Sequence, residues 1–293
     1  MMKTNPISAW LNRDSVTAGI FLSPALTLLG VFLFYPIVYL LYLSFTTGSF
    51  TVSGIEWVGG RNYLRLFTDA DFWQVISNTS YFTIATVIPT IIIPLGLAIL
   101  LNLSLALRGV LRTAYFIPSI TSLVAVGLAF RWLFQSDGYV NDLLILTGLE
   151  PIPWLSSTTW AMPILILLSS WKQLGFNLVV FLAGLQTIPQ SRYEAAELDG
   201  ANSWAKFWYI TIPGLKPTLV FAVLTTTIFT LRSFEQVYVI TGGGPLNSTN
   251  LLVYYVYEQA FTNFEFGYAA AAATILLSIA GIFVFIYLKI WNE

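Results

Sequence analysis

The sequence predicts an all-α integral membrane protein with six transmembrane helices. First, 57% of its 293 residues are hydrophobic and only 9% are charged, whereas a soluble domain carries about 25% charged residues. Second, the apolar residues are gathered in runs long enough to cross a bilayer, which takes ~20 residues. The six predicted spans are roughly 17–45, 73–103, 113–135, 159–185, 217–240 and 267–290.

Composition also excludes several classes of function. The chain has no cysteine and no histidine, which excludes disulfides, Cys/His metal sites and Ser-His-Asp triads. A net charge of −1 argues against nucleic-acid binding, which requires a basic surface. No G-x-x-x-x-G-K-[ST] loop is present, so any ATP must be hydrolysed by another chain.

The distribution of basic residues predicts the orientation of the spans. Placing the N-terminus inside puts eight Lys and Arg residues on the cytoplasmic side and two, Arg61 and Arg65, in outer loops. The positive-inside rule therefore predicts that both termini are cytoplasmic. The predicted organisation is a tail at 1–16, a membrane domain at 17–290 and a tail at 291–293. Its outer loops are 46–72, 136–158 and 241–266.

The individual spans carry further local signals. Kinks are predicted at Pro24 and Pro36 in span 1 and at Pro89 and Pro94 in span 2. Such kinks are tolerated because neighbouring helices satisfy the backbone groups that proline frees. Residues 59–67 of the first outer loop predict a short surface helix. No pair of Gly- or Pro-broken helices is evident at the membrane midplane, which disfavours a secondary transporter.

A polar stretch at 186–216 separates spans 4 and 5. Ser191 and Glu194 have capping-box spacing, which predicts a helix starting at Ser191, and Asp199-Gly200 predicts its end. A helix of about 9 residues, ~13 Å long, is too short to be stable alone and needs a partner surface. Asn202 predicts the cap of a second short helix.

This stretch also resembles the EAA loop of the membrane subunits of binding-protein-dependent ABC importers. The matching residues are Glu194, Ala195, Ala196, Gly200 and the segment Ile210-Thr211-Ile212-Pro213. The resemblance implies a type I ABC importer permease fold, with Glu194, Ala195, Ala196, Asp199, Gly200 and Pro213 coupling the chain to a separate ATPase. ATP and Mg would then be bound by that ATPase, and this chain would bind no cofactor.

A second stretch resembles the pattern F-x-x-x-Y-x-x-T-x-G-G-P of carbohydrate-type importers. It runs from Phe234 through Tyr238 and Thr241 to Gly242, Gly243, Gly244 and Pro245. The resemblance is to the first permease subunit of maltose and glycerol-phosphate importers, although the extra N-terminal spans of the maltose subunit are absent. It implies a second, unlike permease, two ATPase subunits and an external solute-binding protein. We expect that binding protein at Gly242–Pro245, where the glycines and proline predict a compact turn.

Charged residues within the spans mark a candidate solute path. A charge at mid-bilayer costs about 2.5–3.5 kcal/mol and should therefore face protein or water. Arg232 and Glu235, three residues apart on span 5, predict either a structural ion pair or a solute contact. Lys172 on span 4 has no acid at i+3 or i+4. The other predicted path residues are aromatic or amide side chains suited to a sugar: Trp171, Gln173, Phe176, Asn177, Phe234 and Tyr238.

The sequence therefore predicts a non-enzymatic permease subunit in the bacterial cytoplasmic membrane. It would move a sugar or sugar-like solute by alternating access, together with the partners named above and no nucleic acid. A secondary transporter or channel for a small polar solute is the alternative, and a polytopic membrane enzyme is a weaker one. The identity of the solute stays open.

Overall fold

The computed structural model describes residues 14–47, 54–102 and 108–292, which are mainly α-helical. Within these ranges, β-type pairing is limited to an isolated bridge between Thr46 and Trp57. Residues 1–13 of the predicted tail, 48–53 of the first outer loop, 103–107 from the predicted end of span 2 onward, and residue 293 lie outside the described residues.

The helices of the described ranges are labelled in chain order. They are α1 (Asp14–Leu29), α2 (Tyr35–Ser44), α3 (Arg61–Thr68), α4 (Ala70–Asn102), α5 (Arg108–Ile120), α6 (Leu123–Phe134), α7 (Tyr139–Leu146), α8 (Ala161–Gln186), α9 (Gln190–Leu198), α10 (Ser203–Lys206), α11 (Lys216–Leu231), α12 (Leu252–Tyr257) and α13 (Phe266–Asn292). Short π-helical turns lie at Gly30–Phe34, Phe207–Thr211, Val237–Thr241 and Glu258–Thr262, and a single α-helical turn at Ile212–Gly214.

The helices agree with the prediction of six spans. Four stretches of the described chain are long and apolar enough to cross a membrane singly: Thr17–Ser44, Ala70–Asn102, Ala161–Gln186 and Phe266–Trp291. The count reaches six if two bent helix pairs, Gly109–Ile120 with Leu123–Leu146 and Ser203–Gly214 with Lys216–Leu231, are each taken as one span. The helix predicted at 59–67 is α3, but the second and third outer loops also contain helices α7 and α12, which hydropathy did not predict.

Two spans are broken at positions that contain neither glycine nor proline, so the expectation about Gly- or Pro-broken helices does not cover them. Span 3 is interrupted at Thr121-Ser122, between α5 and α6, and Gly109–Ile120 and Leu123–Leu146 are bent by 93°. Span 5 ends its regular helix at Leu231, with Arg232 as the C-cap, and resumes at Glu235. Ser122 is the N-cap of α6, where its side chain accepts a hydrogen bond from the Ala125 N–H at 3.5 Å.

Spans 2, 4 and 5 form the packed centre of the subunit. The predicted cytoplasmic half contains a cluster of fully or nearly fully buried side chains from α4, α8 and the residue preceding α11, namely Ala98, Leu101, Leu178, Phe181, Leu185 and Leu215. A second cluster joins α4, α8 and the turn Val237–Thr241 through Phe82, Leu165, Leu168 and Val237. Span 5 is therefore held against spans 2 and 4 on both sides of its break.

Glycine allows α5 to lie directly against α8. A Cβ atom built on Gly175 would lie 2.3 Å from the carbonyl oxygen of Tyr115 and 2.7 Å from the Ser119 Oγ. Such distances are too short for any side chain. The C-terminal half of α5 is therefore in backbone contact with the middle of span 4, next to Lys172.

Candidate functional site

A polar cleft lies where the two broken spans face span 4. Its volume is about 540 Å³. Six of the predicted path residues line it: Lys172, Gln173, Phe176, Arg232, Phe234 and Glu235. Residues separated by some sixty positions in the sequence thus meet at one site, because both broken spans pack against α8.

Lys172 is bonded to the backbone of the broken span 3. Its Nζ donates to the carbonyl oxygens of Pro118 at 3.1 Å and Thr121 at 2.5 Å. In return, the Ser119 hydroxyl donates to the carbonyl oxygen of Lys172 at 2.8 Å. The lysine that lacked an acidic partner in its own helix therefore finds carbonyl acceptors in the adjacent span.

Arg232 and Glu235 are not arranged as the sequence predicted. The prediction placed them on one face of a continuous helix, but the break in span 5 lies between them. The ion pairs within the described ranges are Arg65–Glu265 and Lys206–Glu197, so these two charges do not neutralise each other. Both side chains are exposed and line the cleft.

The remaining predicted path residues lie outside the cleft lining. Asn177 is fully buried, and its amide donates to the Thr90 carbonyl at 2.7 Å and the Thr226 hydroxyl at 3.0 Å. Trp171 packs on Phe130 with ring centroids 5.9 Å apart. Tyr238 stacks on Phe234 at 5.5 Å and belongs to an aromatic group with Tyr254 and Tyr257.

Several polar residues of the cleft were not singled out from the sequence. These are Thr86, Ser119, Ser169, Thr230 and Ser233. A lone Ser or Thr in an apolar helix usually bonds a carbonyl of the preceding turn, as Ser169 does with Leu165 at 2.8 Å. Thr86 differs, because its hydroxyl is buried without a hydrogen-bond partner. Sequence alone could not separate these two cases.

The polar stretch between spans 4 and 5 forms an exposed helix at one end of the bundle. Helix α9 has no buried residue, and Leu198 at its end is 90% exposed. It is attached through Tyr193, which packs on the buried cluster of α4 and α8 and shares a 2.9 Å hydrogen bond with the Thr211 hydroxyl. Glu194, Ala195 and most other residues of α9 are exposed, and Glu197 pairs with Lys206 at 2.6 Å.

The ends of this helix partly match the sequence prediction. It begins at Gln190 rather than Ser191, with Pro189 as the N-cap and no side-chain capping bond, so the predicted capping box is wrong. The predicted stop is confirmed, because Asp199 is the C-cap and Gly200 has φ +79°. The second helix is α10, and Asn202 Oδ1 accepts from the Ala205 N–H at 2.8 Å as predicted. Pro213 lies exposed in the turn Ile212–Gly214 that leads to α11.

At the opposite end of the bundle, the segment Gly242–Pro245 forms a compact turn. Gly242 and Gly243 have φ of +57° and +80°, values that favour glycine. The following residues are attached to span 2, because the Asn78 amide donates to the Asn247 carbonyl at 2.7 Å and the Asn250 carbonyl at 3.1 Å. Leu246 next to the turn is 85% exposed.

A hydrogen-bonded network joins Asp69, between α3 and α4, to α12 and the start of α13. The Asp69 carboxylate accepts from the Tyr268 hydroxyl at 2.6 Å and the Tyr255 hydroxyl at 3.1 Å. Burial opposes ionisation of Asp69, but hydrogen bonds from Tyr268, Tyr255 and backbone N–H groups outweigh it and hold the pKa of Asp69 below its ordinary value. Arg65 pairs with Glu265 at 2.7 Å and lies over the Tyr268 ring.

The broken spans, the polar cleft and the exposed loop helix define a polytopic membrane component of a transport system. The family described as "Binding-protein-dependent transport system inner membrane component" matches residues 92–292, and the chain belongs to this family. It is accordingly a permease subunit of an ABC importer and not an enzyme. This membership replaces the alternative of a secondary transporter or channel.

Similar proteins cover almost the whole chain. The sulfoquinovosyl glycerol transport system permease protein SmoG of Agrobacterium fabrum is 39% identical, over 96% of this chain and 92% of the relative. The lactose transport system permease protein LacF of Rhizobium radiobacter is 38% identical, over 97% of each chain. A chain of a bacterial ABC transporter that imports the acidic polysaccharide alginate has the same fold, with TM-score 0.82 and 23% identity over 98% of this chain and 99% of that chain.

Proposed function

We propose that this permease serves carbohydrate import and that helix α9 is its contact with a separate ATPase. The single observation that supports the coupling role is the exposure of α9. A helix of nine residues with none buried does not gain enough stability from its own chain. Glu194 and Asp199, which have no ion-pair partner among the described residues, offer carboxylates to a basic partner surface, and Ala195 allows close approach.

Movement of the ATPase would reach the cleft through packed side chains. Tyr193 of α9 contacts the cluster that also contains Leu185 of span 4 and Leu215 at the start of span 5. A displacement of α9 therefore displaces the inner ends of both spans that line the cleft. In this proposal, ATP and Mg bound by the ATPase drive alternating access, a rigid-body change between two packed states.

The proposed solute is a sugar or a sugar derivative. The relatives that are 36–39% identical include proteins named for sulfoquinovosyl glycerol, lactose and arabinooligosaccharides. The cleft suits such a solute, because Phe176 and Phe234 offer flat faces to C–H surfaces and Gln173 and Glu235 offer polar groups to hydroxyls. Lys172 and Arg232 contribute positive charges that shape the electrostatic potential of the cleft.

The proposed assembly has a second, unlike permease, two ATPase subunits and an external binding protein. Support comes from a solved alginate transporter in complex with a periplasmic protein. One chain of that structure is similar to this chain, with 24% identity over 97% of this chain. Both termini and α9 would lie in the cytoplasm. The turn Gly242–Pro245 would lie outside and contact the binding protein, with neighbouring Leu246 at the exposed tip.

The coupling proposal is tested by changing the charge of the polar stretch between spans 4 and 5 and comparing the result with a charge reversal in a predicted outer loop. We expect Glu194→Lys, and independently Gly200→Asp, to release the ATPase during affinity purification of the tagged permease from gently solubilised membranes. Glu150→Lys, the same charge change in an exposed outer loop, is the matched control and should retain it. Equal ATPase recovery and equal uptake for Glu194→Lys and Glu150→Lys would refute the contact.

The same purification tests the solute class. A binding protein recovered with the native complex is screened against neutral sugars, acidic sugars and polyols by calorimetry. Binding of a carbohydrate is the expected result. Recovery of an ATPase together with a binding protein specific for amino acids or peptides would overturn the carbohydrate proposal and leave the coupling proposal intact.

A further inference from the structure

The breakpoint of span 3 exposes carbonyl groups that a continuous helix would have satisfied. The last four carbonyls of any helix lack an intrahelical partner, and within a membrane such groups need partners from the protein or from a water-filled cavity. Helix α5 ends at Ile120, within the cleft wall. Lys172 lies near the middle of the 26-residue helix α8, at the level of this end.

The ammonium group of Lys172 satisfies that helix end directly. Its Nζ lies 3.1 Å from the Pro118 oxygen and 2.5 Å from the Thr121 oxygen. A cation at a helix C-terminus also interacts favourably with the negative end of the helix dipole. The Thr121 hydroxyl donates to the same Pro118 oxygen at 2.8 Å, so this oxygen accepts from two donors at the break.

A second hydrogen bond joins the same two segments in the opposite direction. The Ser119 Oγ donates to the Lys172 carbonyl at 2.8 Å. Gly175, one turn further along α8, has no side chain and so allows this close approach of α5. The position of α5 relative to α8 is thus fixed by a charged group, a hydroxyl and a glycine within one helical turn.

We infer that Lys172 is a positioning residue that keeps span 3 broken at Thr121-Ser122 and so fixes the wall of the cleft. It does this through the carbonyls of α5 and does not itself bind the solute. The wall concerned consists of Phe116, Ser119, Ile120 and Leu123. The charges left to act on a solute are then Arg232 and Glu235, which have no ion-pair partner in the described part of this chain.

This inference rests on the proposed function only for the transport assay, and amide exchange tests it independently. Lys172→Met keeps the length of the side chain but removes its donors, whereas Lys172→Arg keeps them. In the assembled transporter, we expect hydrogen exchange of peptides covering residues 116–126 to rise about fivefold in Lys172→Met, the factor for one lost hydrogen bond. Lys172→Arg should stay within about twofold of the parent. Peptides from α13 provide the internal control.

Uptake kinetics separate positioning from solute binding. We expect Lys172→Met to lower the maximal rate with little change in KM, and Lys172→Arg to restore most of the rate. A raised KM together with unchanged exchange at 116–126 would overturn the inference and make Lys172 a solute ligand. Unchanged exchange and unchanged uptake would overturn it as well.

Ser119→Ala keeps the inference testable if Lys172→Met does not assemble. It removes only the hydrogen bond to the Lys172 carbonyl. We expect exchange at residues 116–126 to rise in the same direction, by about twofold to fivefold. No change in this variant would refute the arrangement, whatever solute the importer carries and whether or not α9 contacts the ATPase.

Discussion

Substitution of Gly175 by alanine should separate α5 from α8 and disturb the cleft. The added Cβ would lie 2.3 Å from the Tyr115 oxygen, whereas ordinary contact begins at 3.4 Å, so α5 must withdraw by about 1.1 Å. The same shift would lengthen the 2.8 Å bond between Ser119 Oγ and the Lys172 carbonyl to about 3.9 Å, beyond hydrogen-bonding range. Overpacking of this kind costs about 1–3 kcal/mol.

The matched control is Gly96→Ala in α4, where a Cβ would meet nothing within 4 Å. Both variants gain the same helix propensity from alanine, about 1 kcal/mol, so their difference isolates the steric effect. Thermal unfolding of the purified transporter in detergent should show a lower midpoint for Gly175→Ala, by about 2–4 °C for each kcal/mol. Equal midpoints and equal uptake for the two variants would refute the close packing of α5 on α8.

Three further predictions address other parts of the subunit. Asn177→Leu should lower the unfolding midpoint, because it leaves the Thr90 carbonyl unpaired at a cost of about 1–3 kcal/mol, while competition assays should show unchanged solute preference. Because the pKa of Asp69 is lowered, its hydrogen bonds to Tyr255 and Tyr268 are stabilising above about pH 4, and this stabilisation is lost as pH falls through that lowered value. Asp69→Asn should abolish this acid-induced loosening, as monitored by limited proteolysis of the outer loops from pH 3 to 7. Asn78→Ala should free residues 242–250 and speed their proteolysis, and an unchanged cleavage rate would count against its role.

Hydropathy and capping patterns were sufficient for the spans and for parts of the loop between spans 4 and 5. The apolar runs gave spans 1, 2, 4 and 6, because a bilayer requires long helices. Asn202 and Gly200 were correctly interpreted, because caps and left-handed turns depend on local residue type. The predicted capping box failed because Pro189 starts the helix one residue earlier.

The cleft could be predicted only in part. Lys172 and Glu235 were recognised because intramembrane charges are rare. The breaks at Thr121-Ser122 and after Leu231 contain no glycine or proline and therefore gave no signal. The partners of Lys172 are backbone carbonyls, which have no sequence pattern, and the burial of Asn177 depends on how spans 2 and 5 pack around span 4.

The C-terminal end of span 1 packs on the sixth span. No residue in the apolar part of span 1 is buried within this subunit, but α2 packs on α13, and Gly267 lies so close to Thr46 that a Cβ would be 1.9 Å from its carbonyl oxygen. These two residues are 221 positions apart in the sequence, which at about 5–20 residues per second corresponds to roughly 10–45 s of synthesis. The first helix to enter the membrane must therefore wait there without its intramolecular partner until the ribosome has made the sixth.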